Sequence, residues 1–420
     1  MAAPQAQRRA APRKRGLGVD VLTAARTRIS RVFDDAPRVS VSFSGGKDSG
    51  VVLELAAQEA RRRGRKIGVL IVDLEAQYKL TIDYIHRMLD RHADVVEPYW
   101  VCLPLNLRNA VSHYQPNWQC WDPDEEERWV RPMPDHPGVV SDPSVHGWDW
   151  FERGMEFEDF TPAFADWYSQ GKLCFSLVGI RAQESLNRWR TIATVRKRMH
   201  EGLRWTTWLQ GSTVYNAYPI YDWSTKDVWR FYGKTKTPYN PLYDRMHKAG
   251  VSLHQQRICH PYGDDQKRGL WLYHIVEPET WGRVAARVQG ANYGAKYAQA
   301  SGNITGKITI TKPEGMTWQR YAEVLLESMP PPTAEHYKNK IQQFLRWYHE
   351  RGYPNGSIPD DGPLDRKHPS WKRIVKVLLS FDYYCKGLSF SPTNKAAKEQ
   401  LAALRRRQRA EYNFPVVGIS

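Results

Sequence analysis

No run of about 18 apolar residues occurs anywhere in the chain, so a membrane-spanning helix is excluded. Cysteine is scarce: Cys102, Cys120, Cys174, Cys259 and Cys385 are widely scattered, and no two form a Cys-x-x-Cys pair. A zinc ribbon or a four-cysteine cluster site therefore lacks a ligand set, and no iron–sulfur cluster is expected. The odd count, without an apolar secretory leader, points to a reducing cytoplasm. Also missing are an internal repeat and any helix-turn-helix or zinc-finger element for reading a nucleic-acid sequence. Acidic residues are the minority charge, 45 against 61 Lys and Arg, which leaves a net +16. Such a field attracts polyanions, whether nucleotide, phosphosulfate or nucleic acid, without choosing among them.

What is present reads as a globular chain with aromatic-rich cores. Of the 420 residues 41% are hydrophobic, with 17 Trp and 22 Tyr. That length exceeds what one core supports, so more than one domain is expected. Residues 1–18, with Arg8, Arg9, Arg13, Lys14 and Arg15 among Ala and Pro, read as a flexible basic tail. Residues 19–275 read as a nucleotide-binding domain of doubly wound, mostly parallel α/β type. The stretch 113–160, rich in Trp, Pro and acidic residues, is an irregular insertion over the site. A connecting region covers 276–330, where the run Pro330-Pro331-Pro332 marks a boundary, and a small helical domain follows at 331–420. Within that last stretch Tyr337, Ile341, Phe344, Leu345 and Tyr348 recur at helical spacing, as does Trp371 to Leu379, and Arg405-Arg406-Arg407 lies near its end.

Three buried strands carry the α/β assignment. Arg38–Phe43 leads into a glycine pair, after which Val51, Val52, Leu55 and Ala56 recur at helical spacing. Ile67–Val72 is nearly continuous and apolar, as a parallel strand covered on both faces should be, and ends at Asp73-Leu74-Glu75. Leu173–Val178 ends at Gly179-Ile180-Arg181. Polar strand ends gathered at the carboxyl edge of such a sheet form its ligand crevice.

The segment Ser44-Gly45-Gly46-Lys47-Asp48-Ser49, between a strand and a helix, has the makings of an anion cradle. Glycines let backbone amides approach phosphate oxygens, and the helix presents its positive end. Lys47 adds a mobile cation, and Asp48 is the candidate ligand for Mg²⁺. The spacing is not the Gly-x-x-x-x-Gly-Lys of a Walker loop. Arg181, Arg188 and Arg190 offer forked donors for phosphate or sulfate, or else form a salt-bridged helix surface. Glu184, three residues after Arg181, is placed to orient it across one helical turn. Asp73 and Glu75 are candidates for bonding a ribose or an adenine edge. Asp222 and Asp227 read equally as helix caps near Ser224. Cys259 and His260 beside Asp264 and Asp265 lack a full metal-ligand set, and a packing or substrate-loop role is preferred for them.

The Ser-Gly-Gly-Lys-Asp-Ser element resembles the phosphate loop of the PP-loop ATP pyrophosphatases. Further elements resemble their phosphoadenosine phosphosulfate reductase branch. They are Gly179-Ile180-Arg181-Ala182-Gln183-Glu184-Ser185 with Arg188, then Pro219–Trp223, Asp227-Val228-Trp229 and Pro238–Tyr243. Cys259–Gln266 and Thr333–Lys340 are similar to the phage- and prophage-associated subgroup that includes the Ibr coactivators. The resemblance implies an adenine-nucleotide site for ATP or phosphoadenosine phosphosulfate, ATP cleavage between the α and β phosphates, and a partner protein encoded alongside. Lys47, Asp48 and Arg181 are then the catalytic candidates, and Gly179, Ile180, Glu184 and Arg188 join the loop in binding. Nucleic acid is a second possible partner through the basic surface. The reductase branch also needs a reactive cysteine near its end. Tyr384-Cys385-Lys386-Gly387-Leu388 lacks the Glu and His of that element, and Cys385 reads as a buried small hydrophobe, although Lys386 would lower its pKa.

Overall fold

The computed structural model describes residues 16, 18–112, 114–258, 260–263, 269–291, 310–350, 358–364, 368–380, 382, 383, 385, 387 and 388. Most of the basic tail, Cys259, Asp264, Asp265, Lys386 and Arg405–Arg407 lie outside these. Two compact units result, one of Met1–Val111 with Asn117–Ala298 and one of Ser112–Pro116 with Gln299–Ser420.

The strands are β1 (Arg38–Ser42), β2 (Ile67–Val72), β3 (Val96–Val101), β4 (Asn106–Arg108), β5 (Asn117–Gln119), β6 (Val139–Val140), β7 (Cys174–Val178), β8 (Thr206–Trp208) and β9 (Val214–Ala217). Seven of them form one sheet in the order β6-β3-β2-β1-β7-β9-β8, and β4 and β5 make a separate hairpin. Every neighbour in the large sheet is parallel except β8, which runs antiparallel to β9 at the edge. The helices of the first unit are α1 (Val21–Asp35), α2 (Lys47–Arg62), α3 (Lys79–Arg91), α4 (Phe157–Ser169), α5 (Leu186–Ala193), α6 (Thr225–Thr235), α7 (Leu242–Lys248), α8 (Trp271–Val276) and α9 (Pro278–Arg287).

This is the doubly wound, mostly parallel α/β arrangement expected from the three apolar strands. Val39, Val41, Ile67, Val69, Ile71, Phe175 and Leu177 are almost wholly inaccessible, because helices cover both faces. From β1 the chain goes to β2 and β3 on one side, then returns to β7 on the other. Loops leaving β1 and β7 therefore diverge at their carboxyl ends, and that split opens the crevice where doubly wound sheets bind ligands.

Tight packing fixes the layers. Gly68 of β2 lies under Tyr168 of α4, whose hydroxyl accepts from Gly68 N at 2.8 Å and donates to Val39 O at 3.2 Å. Arg28, buried in α1, forks onto Asp222 at 2.9 and 2.7 Å and onto the Pro219 carbonyl at 2.7 Å. Asp222 is thus an ion-pair partner. Ser224 is the N-cap of α6, and Asp227 is its third-position partner in a reciprocal capping box.

The insertion is more ordered than its sequence suggested. It contains β5, the short helical turns Pro123–Arg128 and Pro143–His146, and β6, which extends the main sheet beside β3. In the second unit, helices Trp318–Glu327, Pro331–His349 and Trp371–Leu379 pack around Tyr337, Phe344, Ile374 and Leu378. The proline run there opens a helix: Pro331 takes a first-turn position, where its missing N–H costs nothing. Among the described residues no helix is long and apolar enough to cross a membrane.

Candidate functional site

The loop after β1 is shaped by two different glycine requirements. Gly45 has φ +69°, the left-handed region that favours glycine, and a Cβ there would meet Thr81 Cγ2 at 2.7 Å. Gly46 has φ −84° and serves as the N-cap of α2 without any side-chain cap. Gly46 thus offers no side-chain cap of its own to the positive end of α2. Ser49 Oγ donates to the Gly46 carbonyl at 3.1 Å and accepts from Ser44 N at 3.3 Å, so the two serines close the bend.

A third element buttresses the loop from outside. Asn240 Nδ2 donates to the Gly45 carbonyl and to Thr81 Oγ1, both at 3.0 Å. The Tyr243 hydroxyl accepts from Lys47 N at 2.9 Å, and Tyr232 donates to Lys47 O at 2.6 Å. Burial pushes both phenols well above their ordinary range, so they stay neutral and act as dipoles. The Pro238–Tyr243 motif thus holds the Ser44–Ser49 loop in place. Asn240, Tyr243 and Tyr232 had no individual role in the sequence reading, since side-chain bonds across almost 200 positions leave no local signal.

From the other side comes β7. A Cβ on Gly179 would lie 2.8 Å from Ser49 N and 2.9 Å from the Asp48 carbonyl carbon, so the strand end touches the first turn of α2 backbone to backbone. Two residues on, buried Arg181 grips Asp48, Nε to Oδ1 at 2.6 Å and Nη2 to Oδ2 at 3.4 Å. Lys47 Nζ lies 3.4 Å from Asp48 Oδ2 and donates to the Gln256 carbonyl at 3.2 Å. Lys47, Asp48 and Arg181 are therefore one cluster.

The structure differs from expectation at two places. Arg181 is oriented by Asp48 rather than Glu184; residues 181–184 form a turn, and helix α5 begins only at Leu186 with Ser185 as cap. Glu184 pairs instead with Arg188 one turn along. Asp73 and Glu75 are fully buried and held by protein groups, so they do not face a ribose. Asp73 accepts from Trp100 Nε1 at 2.9 Å and Arg131 at 2.5 Å. Glu75 accepts from Trp121 N and Val130 N and pairs with buried Arg287 at 2.7 Å. Both acids clamp the insertion onto the carboxyl edge of the sheet. Cys385 is buried as expected, and burial, with the nearby Asp382 carboxylate, pushes its thiol up to about 12.

A cleft of about 100 Å³ opens beside the loop, walled by Lys47, Arg181, Glu184, Gln256 and Arg257 among others. A larger groove of about 650 Å³ lies between α1 and the far end of α2, away from the loop. Asp35, His200 and Glu201 cluster closely enough to suggest a metal, but Arg31 bridges both carboxylates, at 2.8 and 2.5 Å, so this is an ion-pair group. At the loop, Asp48 is the carboxylate available to Mg²⁺. Its Oδ2 has only long contacts, which suits an ion held by one carboxylate, phosphates and water.

Residues 141–257 match the phosphoadenosine phosphosulfate reductase domain, and residues 250–361 match a domain of unknown function, DUF3440. Similarity to solved structures is low. It reaches a TM-score of 0.32 and 14% identity with phosphoadenylyl-sulfate reductase of Candida auris, over 57% of this chain and 89% of that one. The FMN adenylyltransferase of Candida glabrata in complex with ATP gives 0.29 and 14%, over 55% and 62%. An uncharacterized protein of Methanocaldococcus jannaschii, MJ0066, is 27% identical over 49% of this chain and 34% of its own length. The uncharacterized Escherichia coli protein YbdN is 47% identical over 90% of this chain and 92% of its own. With identity of that order sustained along nearly the whole of both sequences, the chain belongs to the same family as YbdN.

Proposed function

We propose that this protein is a PP-loop ATP pyrophosphatase that cleaves ATP between the α and β phosphates and transfers the adenylyl group to an acceptor. What carries the reading is the convergence of Lys47, Asp48 and Arg181 at the amino end of α2. An acceptor oxygen forms a bond to the α-phosphorus, the bond to the bridging oxygen breaks, and pyrophosphate leaves with the electron pair. The loop amides and α2 dipole hold the departing phosphates, Lys47 neutralises their growing charge, and Arg181 positions Asp48. Mg²⁺, when bound through Asp48, would draw off further polyphosphate charge. Ser44, Gly45, Gly46, Ser49, Gly179 and Ile180 shape the site, while Glu184 and Arg188 flank it as an ion pair.

The test is pyrophosphate release from ATP with candidate acceptors. Lys47→Ala and Asp48→Ala should each lower turnover by 100-fold or more, on the order of what one removed transition-state contact costs. Unchanged turnover in both variants would falsify the assignment.

Sulfonucleotide reduction is the weaker reading, since a buried thiol pushed up to about 12 is a poor nucleophile. A nucleotide-responsive regulator, acting with a partner protein as the resemblance to the Ibr subgroup implies, draws on a different observation. Arg190, Arg196, Arg198 and Arg204 are exposed along the stretch that also bears half-exposed Trp189, a pairing of charge and ring suited to single-stranded nucleic acid. Binding of that kind weakens steeply with salt.

A further inference from the structure

We infer that residues 250–257 form a strap that latches the site shut, with the Gln256 backbone carbonyl holding the Lys47 ammonium until a polyphosphate displaces it. The inference rests on the adenylyl-transfer reading and concerns the regulation of that same site.

The strap leaves α7 at Gly250, whose φ of +85° favours glycine and where an added Cβ would meet nothing within 4 Å. Residues 252–255 are exposed, and Gln256, 1% exposed, is tucked beneath them. The turn is held by its own bonds: Gln256 Nε2 donates to the Val251 carbonyl at 3.0 Å, and Gln255 N and Gln256 N donate to the Ser252 carbonyl at 2.8 and 3.2 Å. It is therefore a small preformed body with a glycine at its root. Two hydrogen bonds fasten its far end to the site. Lys47 Nζ donates to the Gln256 carbonyl at 3.2 Å, and Arg257 Nη2 donates to the Glu184 carbonyl at 3.1 Å. A mostly exposed segment tied by a few such bonds belongs to the low-stability end of a fold, from which moving covers of binding sites are drawn.

Space and charge say what opening would do. The strap supplies Leu253, His254, Gln256 and Arg257 to the wall of the cleft of about 100 Å³, opposite Lys47 and Arg181. That volume is the liquid share of about three waters at ~30 Å³ each, and a triphosphate has several times as many non-hydrogen atoms. With the strap down, Lys47 is 5% exposed, its ammonium set between Asp48 Oδ2 at 3.4 Å and the Gln256 carbonyl. Asp48 follows Lys47 in the first turn of α2 and stays with it, so the Gln256 contact is the one that opening breaks. An ammonium bonds a charged phosphate oxygen more strongly than a neutral carbonyl, so an arriving polyphosphate takes Lys47 and frees the strap. A site that must open first binds more weakly by its open fraction, and loosening the latch removes that penalty. Losing one latch bond shifts the opening equilibrium by roughly 2- to 13-fold. Arg257→Ala should therefore tighten polyphosphate binding, the opposite of what loss of a phosphate-contacting guanidinium would do.

The experiment begins without nucleotide, as acetic anhydride labelling of the full chain followed at Lys47 by peptide mass spectrometry. Labelling tracks the open population, so Lys47 should react about threefold or more faster in Arg257→Ala than in the wild type. Lys197, held by the Thr191 and Arg204 carbonyls at 2.7 Å each, should keep its wild-type rate and so reports that the variant is folded. An unchanged Lys47 rate overturns the inference. Calorimetric titration with α,β-methylene-ATP should then show the variant binding about threefold or more tightly, and equal or weaker binding overturns it as well. Hydrogen exchange on the wild type decides the matter whether or not the variant folds: α,β-methylene-ATP should speed exchange at the Gln255 and Gln256 amides, and slowed or unchanged exchange overturns the latch. A wild type that binds no nucleotide at all rejects the adenylyl-transfer reading instead, while the labelling of Lys47 still decides whether the strap covers it.

Discussion

Replacing Gly179 by Ala probes the contact on which the site geometry depends. The added Cβ would stand 2.8 Å from Ser49 N, 2.9 Å from the Asp48 carbonyl carbon and 3.0 Å from Ser49 Cα. All three are backbone atoms in the first turn of α2, itself pinned at Lys47 by Tyr243 and Tyr232. No side chain can swing aside. Reaching the carbon–carbon optimum of about 3.5 Å requires the end of β7 and the start of α2 to part by about 0.6 Å. Overpacking of this kind costs about 1–3 kcal/mol, which lowers Tm by roughly 2–10 °C in a unit of this size. Arg181 and Asp48 move apart with the two elements, so ATP affinity should fall by about tenfold or more. Gly46→Ala is the control: its φ is −84°, and the nearest atoms to a new Cβ are side-chain oxygens at 3.3 and 3.5 Å. Thermal unfolding and ATP titration of both variants decide the matter. If Gly179→Ala unfolds like Gly46→Ala and binds ATP like the wild type, the close backbone approach is not what builds the site.

Three further outcomes follow from buried charge and burial. Arg287→Met removes the main partner of fully buried Glu75 and should cost about 3–5 kcal/mol in urea denaturation, with a loss below about 1 kcal/mol refuting the clamp on the insertion. Glu54 is opposed by burial but held down to about 2 by hydrogen bonds from His92, Arg91 and Gln58, against an ordinary 4.5. Its stabilisation is therefore complete above pH 4.5 and is lost as pH falls toward 2; Glu54→Gln should narrow the gap between urea midpoints at pH 7 and pH 3, and an unchanged gap would count against it. With its thiol at about 12, Cys385 should resist iodoacetamide at pH 8 in the folded protein, and rapid alkylation would refute the burial.

Read from the sequence, the apolar strands β1, β2 and β7 stood out, as did the loop between β1 and α2. A strand covered on both faces must be continuously apolar, and a tight bend onto phosphate must use glycine; both are local demands that local composition records. β3, with Pro98 and Tyr99 inside it, and the short β6, β8 and β9 carry no such mark, because their place is decided by the strands beside them. The helix at Tyr337–Tyr348 was legible from its period. β5 and the turns within 113–160 were not, since they are held by Asp73, Glu75 and Arg287 from elsewhere in the chain.

At the site, the chain's own order nominated Lys47, Asp48 and Arg181, while tertiary structure alone decided which charges meet. Glu184 was the nearer partner for Arg181 by number, yet Asp48, 133 positions away, holds it, because helix α5 starts too late to bring Glu184 onto the same face. The same long-range closure turned Asp73 and Glu75 inward and brought Gln256 and Arg257 to the wall of the cleft. Local conformation follows from neighbours along the chain. The pairing of buried charges depends on which elements the sheet sets side by side, and no short stretch of sequence contains that information.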